Sequence, residues 1–240
     1  VWFWARRRLR PGLIWPLSGI LALGGLQGFV GWYMVTSGLV DRVDVSQYRL
    51  ALHLTIAFLI LAALVWMWLS LAPEPTRAAV RVPVGGATAT AWALLALLSV
   101  QVVAGALVAG LKAGLAYNTW PLMEGALVPS GLGVMSPWWL NPFENALTVQ
   151  FDHRVLAYAI LALAGWHAVR LSRVGGVAAT SALALLAAVV AQALLGIWTL
   201  LAQVPLSLGL AHQAGAAAVF ALAVWHLYAV RHARVARPAG

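Results

Sequence analysis

Three histidines carry the chemistry open to this sequence: His53, His153 and His212, each near the start of a long apolar run. Each is followed thirteen residues later by a tryptophan (Trp66, Trp166 and Trp225), so one helix type recurs three times with histidine as its polar feature. The fullest copy is Gln150-Phe151-Asp152-His153-Arg154-Val155-Leu156-Ala157-Tyr158, which opens an apolar helix uncharged from Val155 to Trp166. Lipid offers an imidazole no hydrogen-bond partner, so such a histidine faces protein, a cavity or a ligand. A neutral imidazole binds a metal through one nitrogen while its other N–H finds a backing acceptor. Two of them at one depth on facing helices are what six-coordinate haem iron requires, and a helical bundle supplies the apolar slot. Arg154 beside His153, and Arg49 near His53, stand where haem propionates would reach the water-facing edge. A single intramembrane histidine more often packs or lines a pore. Three in a repeated context favour ligation.

Other chemistries lack their parts. The chain has no cysteine, which removes disulfides, thiolate metal sites and cysteine nucleophiles. Acidic residues are few, no metalloprotease spacing occurs, and no phosphate-cradling glycine loop follows a strand. The net charge of +9 does not indicate nucleic acid, because the arginines fall between apolar runs rather than on one interleaved face.

The elements that position these residues follow from composition. Of 240 residues 63% are hydrophobic and only 9% charged, with a mean hydropathy of +0.89, a profile of integral membrane proteins. Six runs approach the ~20 residues that cross a bilayer. They fall at about Leu13–Val35, Leu50–Leu71, Ala87–Leu111, Ala146–Val169, Val177–Leu201 and Ser207–Val230. Runs of this length must be helices to satisfy their backbone in lipid. The fold class is therefore all-α, a polytopic membrane bundle in contact with lipid. The spans between the histidine helices carry Gln-x-x-x-Gly at Gln27 and Gly31, Gln101 and Gly105, and Gln192 and Gly196. Two readings stand: a small residue for close packing with an amide bonding across it, or direct cofactor contact. Repetition of this kind commonly signals pseudo-symmetric halves with a site between helices.

Eleven arginines lie on one side of these spans: Arg6, Arg7, Arg8, Arg10, Arg77, Arg81, Arg170, Arg173, Arg231, Arg234 and Arg237. Arg42, Arg49, Lys112 and Arg154 lie on the other, partly balanced by acidic residues. The positive-inside rule makes the eleven-arginine side cytoplasmic, with both ends of the chain inside. His53, His153 and His212 then lie near the external ends of their helices. The tryptophans lie near the cytoplasmic interface.

A second class of function also fits: a bis-histidine cytochrome that only transfers electrons. His153 and His167 are fourteen positions apart, as are His212 and His226. On a helix that spans ~21 Å and returns to nearly one face, the spacing by which dihaem bundles stack two haems. Against it, Met67 takes the equivalent position in the third copy, and His167 and His226 adjoin tryptophans at arginine-rich ends. We read those two as interfacial anchors and His232 as solvated. A cofactor-free transporter would need discontinuous helices and intramembrane carboxylates, which are not visible. The connection from about Lys112 to Asn145 is too long for a turn. It either caps the site or anchors at the interface through Trp138-Trp139. Tyr158 is read as packing.

Several stretches together resemble the haem A synthase family. They are Leu26-Gln27-Gly28-Phe29-Val30-Gly31-Trp32-Tyr33-Met34-Val35-Thr36-Ser37-Gly38-Leu39, Arg49-Leu50-Ala51-Leu52-His53-Leu54, and Val108-Ala109-Gly110-Leu111-Lys112-Ala113-Gly114. Further on come Tyr117-Asn118-Thr119-Trp120-Pro121-Leu122-Met123, Asn141-Pro142-Phe143-Glu144-Asn145, Gln150-Phe151-Asp152-His153-Arg154, Gln192-Ala193-Leu194-Leu195-Gly196-Ile197 and Ala211-His212-Gln213. The match covers nearly the whole chain in order, and lies nearest the cysteine-free branch of proteobacteria and mitochondria.

The resemblance implies eight spans in two pseudo-symmetric four-helix halves, of which six are visible: residues 1–86 as the remainder of the N-terminal, substrate-haem half, and 87–240 as the complete C-terminal, haem b half. It implies oxidation of the C8 methyl of haem O to a formyl group, giving haem A for terminal oxidases. By this resemblance His153 and His212 ligate haem b iron, with Arg154 and Arg49 as further cofactor contacts. His53 ligates the substrate haem iron and takes the catalytic position. Its partner would belong to a Glu-x-x-His-Arg motif absent here, and Gln150 stands where the C-terminal copy would carry the acid. Implied partners are haem O and haem A, with haem O synthase and oxidase assembly factors beside them. Gly24-Gly25 with Gly28 permits a homo-oligomer. The implied location is the bacterial plasma membrane, or the mitochondrial inner membrane in a eukaryote. Val1-Trp2-Phe3-Trp4 followed by arginines resembles Val65-Trp66-Met67-Trp68, the inner end of a histidine helix. We therefore expect two helices upstream of Val1, and a fragment that binds haem without converting haem O.

Overall fold

The computed structural model describes residues 2–10, 12–36, 44–71 and 85–232. Arg42, Arg77, Arg81, Arg234 and Arg237, used above for orientation, lie outside the described residues. In chain order the elements are α1 (Trp2–Ala5), α2 (Ile14–Thr36), α3 (Gln47–Leu71), α4 (Gly85–Gly110), α5 (Ala113–Ala116), α6 (Asn141–Glu144), α7 (Ala146–Ser172), α8 (Gly176–Leu201) and α9 (Leu206–His232). A 3-10 turn, Trp138–Leu140, precedes α6. Six of these helices are long and apolar enough to cross a membrane, so the chain is a multi-pass all-α membrane protein.

Every expected span is met to within three residues at each end. The largest extensions have polar causes. The start of α3 reaches back to Gln47, whose Nε2 donates to Glu144 Oε2 at 2.9 Å. The end of α7 runs past Arg170, whose guanidinium lies 4.8 Å from the Trp166 ring centroid. One local expectation is corrected: the Gln150–Tyr158 cluster does not open its helix. Asn145 caps α7 four residues earlier, accepting from Leu147 N at 3.1 Å, so one orphan N–H of the first turn is satisfied. The turn into α8 uses Gly175 at φ +76°, a left-handed conformation that glycine adopts without Cβ strain.

The helices pair as antiparallel hairpins. α4, α7, α8 and α9 pack in the ring order α4–α7–α8–α9–α4, which places α7 and α9 at opposite corners of a four-helix bundle. Its core interleaves Leu94 and Leu98 of α4, Ile160 of α7, Leu185 and Val189 of α8, and Phe220 and Val224 of α9. α3 packs outside this ring against α4 and α9, and Phe58 meets Phe220 edge-on with centroids 5.0 Å apart. α2 packs on α3 alone of the long helices, and only 6% of its span is buried against 17–28% for the other five.

At one end of the bundle α3 and α4 cross in backbone contact. A Cβ on Gly110 would stand 2.6 Å from both Gln47 Cα and Gln47 Cβ. Polar contacts bracket this crossing. Tyr48 Oη donates to Glu144 Oε1 at 2.5 Å, and Lys112 Nζ donates to Asp44 Oδ2 at 2.8 Å. The Gly110 contact is with main chain, so a new methyl group cannot be accommodated by a rotamer change. Gly110→Ala should cost about 1–3 kcal/mol by overpacking, read as a lower Tm in detergent. Gly24→Ala, with nothing within 4 Å of its Cβ, should show no loss.

Candidate functional site

Each hairpin repeats one contact. A glutamine on the first helix reaches a histidine on the second, and the glycine four residues beyond that glutamine lies against the same ring. Gln27 Nε2 is 3.1 Å from His53 Nε2, and a Cβ on Gly31 would be 3.1 Å from His53 Cε1. Gln101 Nε2 is 3.3 Å from His153 Nε2 and donates to His153 O at 3.1 Å, while a Gly105 Cβ would be 3.2 Å from His153 Cε1. Gln192 Nε2 is 3.1 Å from His212 Nδ1 and donates to His212 O at 2.7 Å, and a Gly196 Cβ would be 2.8 Å from His212 Cε1. Residues four apart share a helix face, which is why the amide and the bare backbone meet one ring. The expected amide bond across close-packed helices is therefore present in all three copies.

His153 and His212 belong to the opposite corners α7 and α9 of one bundle. An amide N–H must find a lone pair, so the Gln101 contact makes His153 Nε2 the unprotonated nitrogen. Gln27 does the same at His53. That contact takes up the Nε2 lone pair, so a metal at Nε2 of either ring would displace the glutamine amide, while at His212 the amide lies on Nδ1 instead. Several buried polar atoms here make no hydrogen bond: Nδ1 of His53 and His153, Oε1 of Gln27 and Gln101, and Nε and Nη1 of Arg154. Buried donors without partners are uncommon in proteins. Two on one guanidinium beside paired imidazoles suit an anionic group. Histidines on opposite corners of one bundle, with an under-satisfied guanidinium next to one of them, fit a haem carrying propionates.

Arg154 Nη2 also donates to Tyr117 O at 3.0 Å. The long connection folds back over α7 here, and Trp120 Nε1 donates to Tyr158 Oη at 3.0 Å. Tyr158 is thus a hydrogen-bond acceptor for the connection, beyond the packing role expected of it. Trp138 and Trp139 point away, 73% and 57% exposed. The connection thus covers Arg154 and Tyr158 with one stretch and leaves its tryptophan pair exposed in another. Arg49 is turned toward α2: its guanidinium lies 3.7 Å from the Tyr33 ring centroid and donates to Tyr33 O at 2.7 Å. His232 is exposed, though its ring stacks on Tyr228 with centroids 4.0 Å apart.

The reading of His167 and His226 as interfacial anchors is overturned. Both are buried, at 2% and 0% exposure, with Nε2 atoms 2.8 Å apart. Ser181 Oγ lies 2.8 Å from His226 Nδ1 and donates to Ala178 O at 3.2 Å. Reading the bonds from that carbonyl, Ser181 accepts from His226 Nδ1–H, and His167 Nε2–H donates to His226 Nε2. The physical reason is helix phase. Successive residues differ by about 100°, so Trp166 faces outward at 50% exposure while His167 turns inward. The signal was in the sequence: the fourteen-residue spacing from His153 and His212 already put these rings on the inward face. Metal–imidazole bonds of about 2 Å would hold two nitrogens ~4 Å apart, so the 2.8 Å pair leaves no room for a metal between them.

Fold and site together define a multi-pass helical membrane protein with amide-backed histidines on opposing helices of one bundle. The family of cytochrome oxidase assembly proteins described as COX15-CtaA matches residues 1–224. A protein named Heme A synthase from Allorhizobium ampelinum is 52% identical over 229 residues, covering 95% of this chain and 62% of its own length. Proteins of the same name from Rhodopseudomonas palustris are 54% identical in strain HaA2 and 55% in strain BisB5, each over 93% of this chain. They are covered over 61% and 62% of their own lengths. The chain belongs to the haem A synthase family, and it spans about 62% of the length of these relatives. No solved structure matches it.

The inner histidine pair makes its own prediction. His226→Leu leaves the His167 donor buried and unpaired, at a cost of about 1–3 kcal/mol. Removing both partners can be nearly neutral, so His167→Leu/His226→Leu should lose less than the sum of the single variants. Haem content per protein should be unchanged in all three. Thermal unfolding and a pyridine haemochrome assay read the two outcomes.

Proposed function

We propose that the intact protein is a haem A synthase, oxidising the C8 methyl of haem O to a formyl group to give haem A for terminal oxidases. Family membership and the names of the relatives support this. The observation that carries it to residues is the placement of His153 and His212 on opposite corners of one bundle, each held by its own glutamine. These two would hold haem b through its iron, and Arg154, with buried N–H groups that make no hydrogen bond, would meet a propionate. Haem b, when bound, supplies one-electron transfer. The chain's own work is to keep both imidazoles neutral, turn them inward and exclude water from the ring between α4 and α8. Residues 87–240 form this half. Residues 1–86 belong to the substrate half, where His53 ligates the substrate haem and takes the catalytic position. Arg49 stands there as a propionate contact, through the guanidinium N–H groups not spent on Tyr33.

The protein lies in the bacterial plasma membrane with its arginine-rich end cytoplasmic, by the positive-inside rule. The histidine end faces outward, so haem O and haem A are handled near the external leaflet. Haem O synthase and oxidase assembly factors are its natural neighbours, as source of substrate and users of product.

Haem extraction from the full-length protein should yield haem b together with haem O or haem A. His153→Ala and His212→Ala should each abolish the low-spin haem b spectrum while protein remains in the membrane. An unchanged low-spin spectrum in both variants would rule out the ligand assignment. Haem b alone, at two equivalents, would instead identify an electron-transferring cytochrome.

A further inference from the structure

We infer that the Gln-x-x-x-Gly element of each hairpin is a positioning cradle that fixes the rotation of the histidine ring packed against it. This rests on the axial-ligand reading above and adds residues to it: Gln101 and Gly105 for His153, and Gln192 and Gly196 for His212. Two independent observations carry it. The glutamine amide bonds the histidine's own carbonyl, at 3.1 Å for His153 and 2.7 Å for His212, which fixes the height of that residue relative to the neighbouring helix. The second is the close approach of ring to glycine, described next; the same amide also lies against a ring nitrogen, Nε2 at His153 and Nδ1 at His212, the former contact giving way where Nε2 holds iron.

The glycine, one turn along the same helix face, sets how closely the ring packs. Its missing Cβ lets ring atom Cε1 approach helix backbone more closely than any side chain would allow, most tightly at Gly196. Amide and bare backbone meet the ring from one helix face, so a turn of the ring toward that face would drive it into the backbone. Outer partners of metal-ligating histidines act in this way, fixing ring orientation as well as tautomer. Not every glycine of these helices is crowded, although Gly215 of α9 lies against the Gln192 side chain. Gly165 and Gly209, in the same histidine helices, have nothing within 4 Å of a would-be Cβ.

The readout is the electron paramagnetic resonance of the ferric low-spin haem in the purified full-length protein. Its largest g-value depends on the angle between the two axial imidazole planes, and general loss of stability does not move it. Gly196→Ala should shift that value most, since its Cβ would sit at 2.8 Å, and Gly105→Ala less, at 3.2 Å. Gln192→Met, similar in length without the amide, should broaden or shift the signal. Gly165→Ala should reproduce the parent. Where Gly196→Ala takes up no haem, Gly105→Ala decides: a shifted g-value supports the cradle and a parental one overturns it. Haem-loaded glycine variants indistinguishable from Gly165→Ala likewise overturn it. A parent with no low-spin signal at all would instead defeat the axial-ligand reading itself.

Discussion

An imidazole inside the apolar slab has to be satisfied by the helix beside it, and much of the architecture answers to that constraint. In lipid there is little hydrophobic drive for helices to associate, so packing and interhelical hydrogen bonds decide which faces meet. Each hairpin meets the demand with a glutamine one turn from a glycine. The amide supplies the bond, and the bare backbone lets the two helices come close enough to make it. Such bonds are worth about 0.6 kcal/mol each on average in membrane proteins, so even three contribute little to stability. Their repetition is better explained by geometry. An amide that holds both a carbonyl and a ring nitrogen fixes where a ring stands and how it is turned.

The same bundle carries a second polar layer that is built differently. Fourteen residues along α7 and α9, ~21 Å from the first layer, His167 and His226 satisfy one another and Ser181. Around them Ala168, Ala178 and Ala182 let the helices close tightly. The layer at His153 keeps buried donors and acceptors without partners, as a layer awaiting a polar group would. Between the two lies an apolar core of Leu98, Ile160, Leu185, Val189 and Phe220. One bundle thus holds a self-satisfied polar layer and an unsatisfied one, kept apart by dry packing. Only the second has the chemistry of a binding site.

Much of this was legible in the sequence, for identifiable reasons. Span positions follow from the length and uniform apolarity of the runs, since lipid leaves the backbone no alternative to a helix. The three histidines and three Gln-x-x-x-Gly elements were visible as repeats. Which glutamine meets which histidine needed the hairpins, and the sequence left packing and cofactor contact both open. The start of α7 at Ala146 was legible from the apolar run, whereas the Gln150–Tyr158 cluster lies a turn inside the helix that Asn145 caps. His167 and His226 were misjudged because their neighbours Trp166, Trp225 and Arg170 do look interfacial. Local context outweighed helical phase, and phase was the better guide. The bonds of the long connection to Arg154 and Tyr158 join residues 37 and 38 positions apart. No local pattern announces them.

The direction of the third cradle bears on how the chain divides. His53 is turned toward Gly31 and Gln27 on α2 rather than into the ring of α4, α7, α8 and α9, although its helix packs against two members of that ring. α3 therefore presents Phe58 to the bundle and its histidine elsewhere. His53 thus stands against α2, apart from the layer that His153 and His212 mark in the bundle. What joins them is the crossing at Gly110, with Gln47 and Tyr48 of α3 both bound to Glu144 and Lys112 paired with Asp44. Glu144 ends the connection that also covers Arg154, so a shift of α3 at this crossing bears on the connection that Arg154 holds beside His153. The two constellations are separate in their contacts and share one clamp at the histidine end.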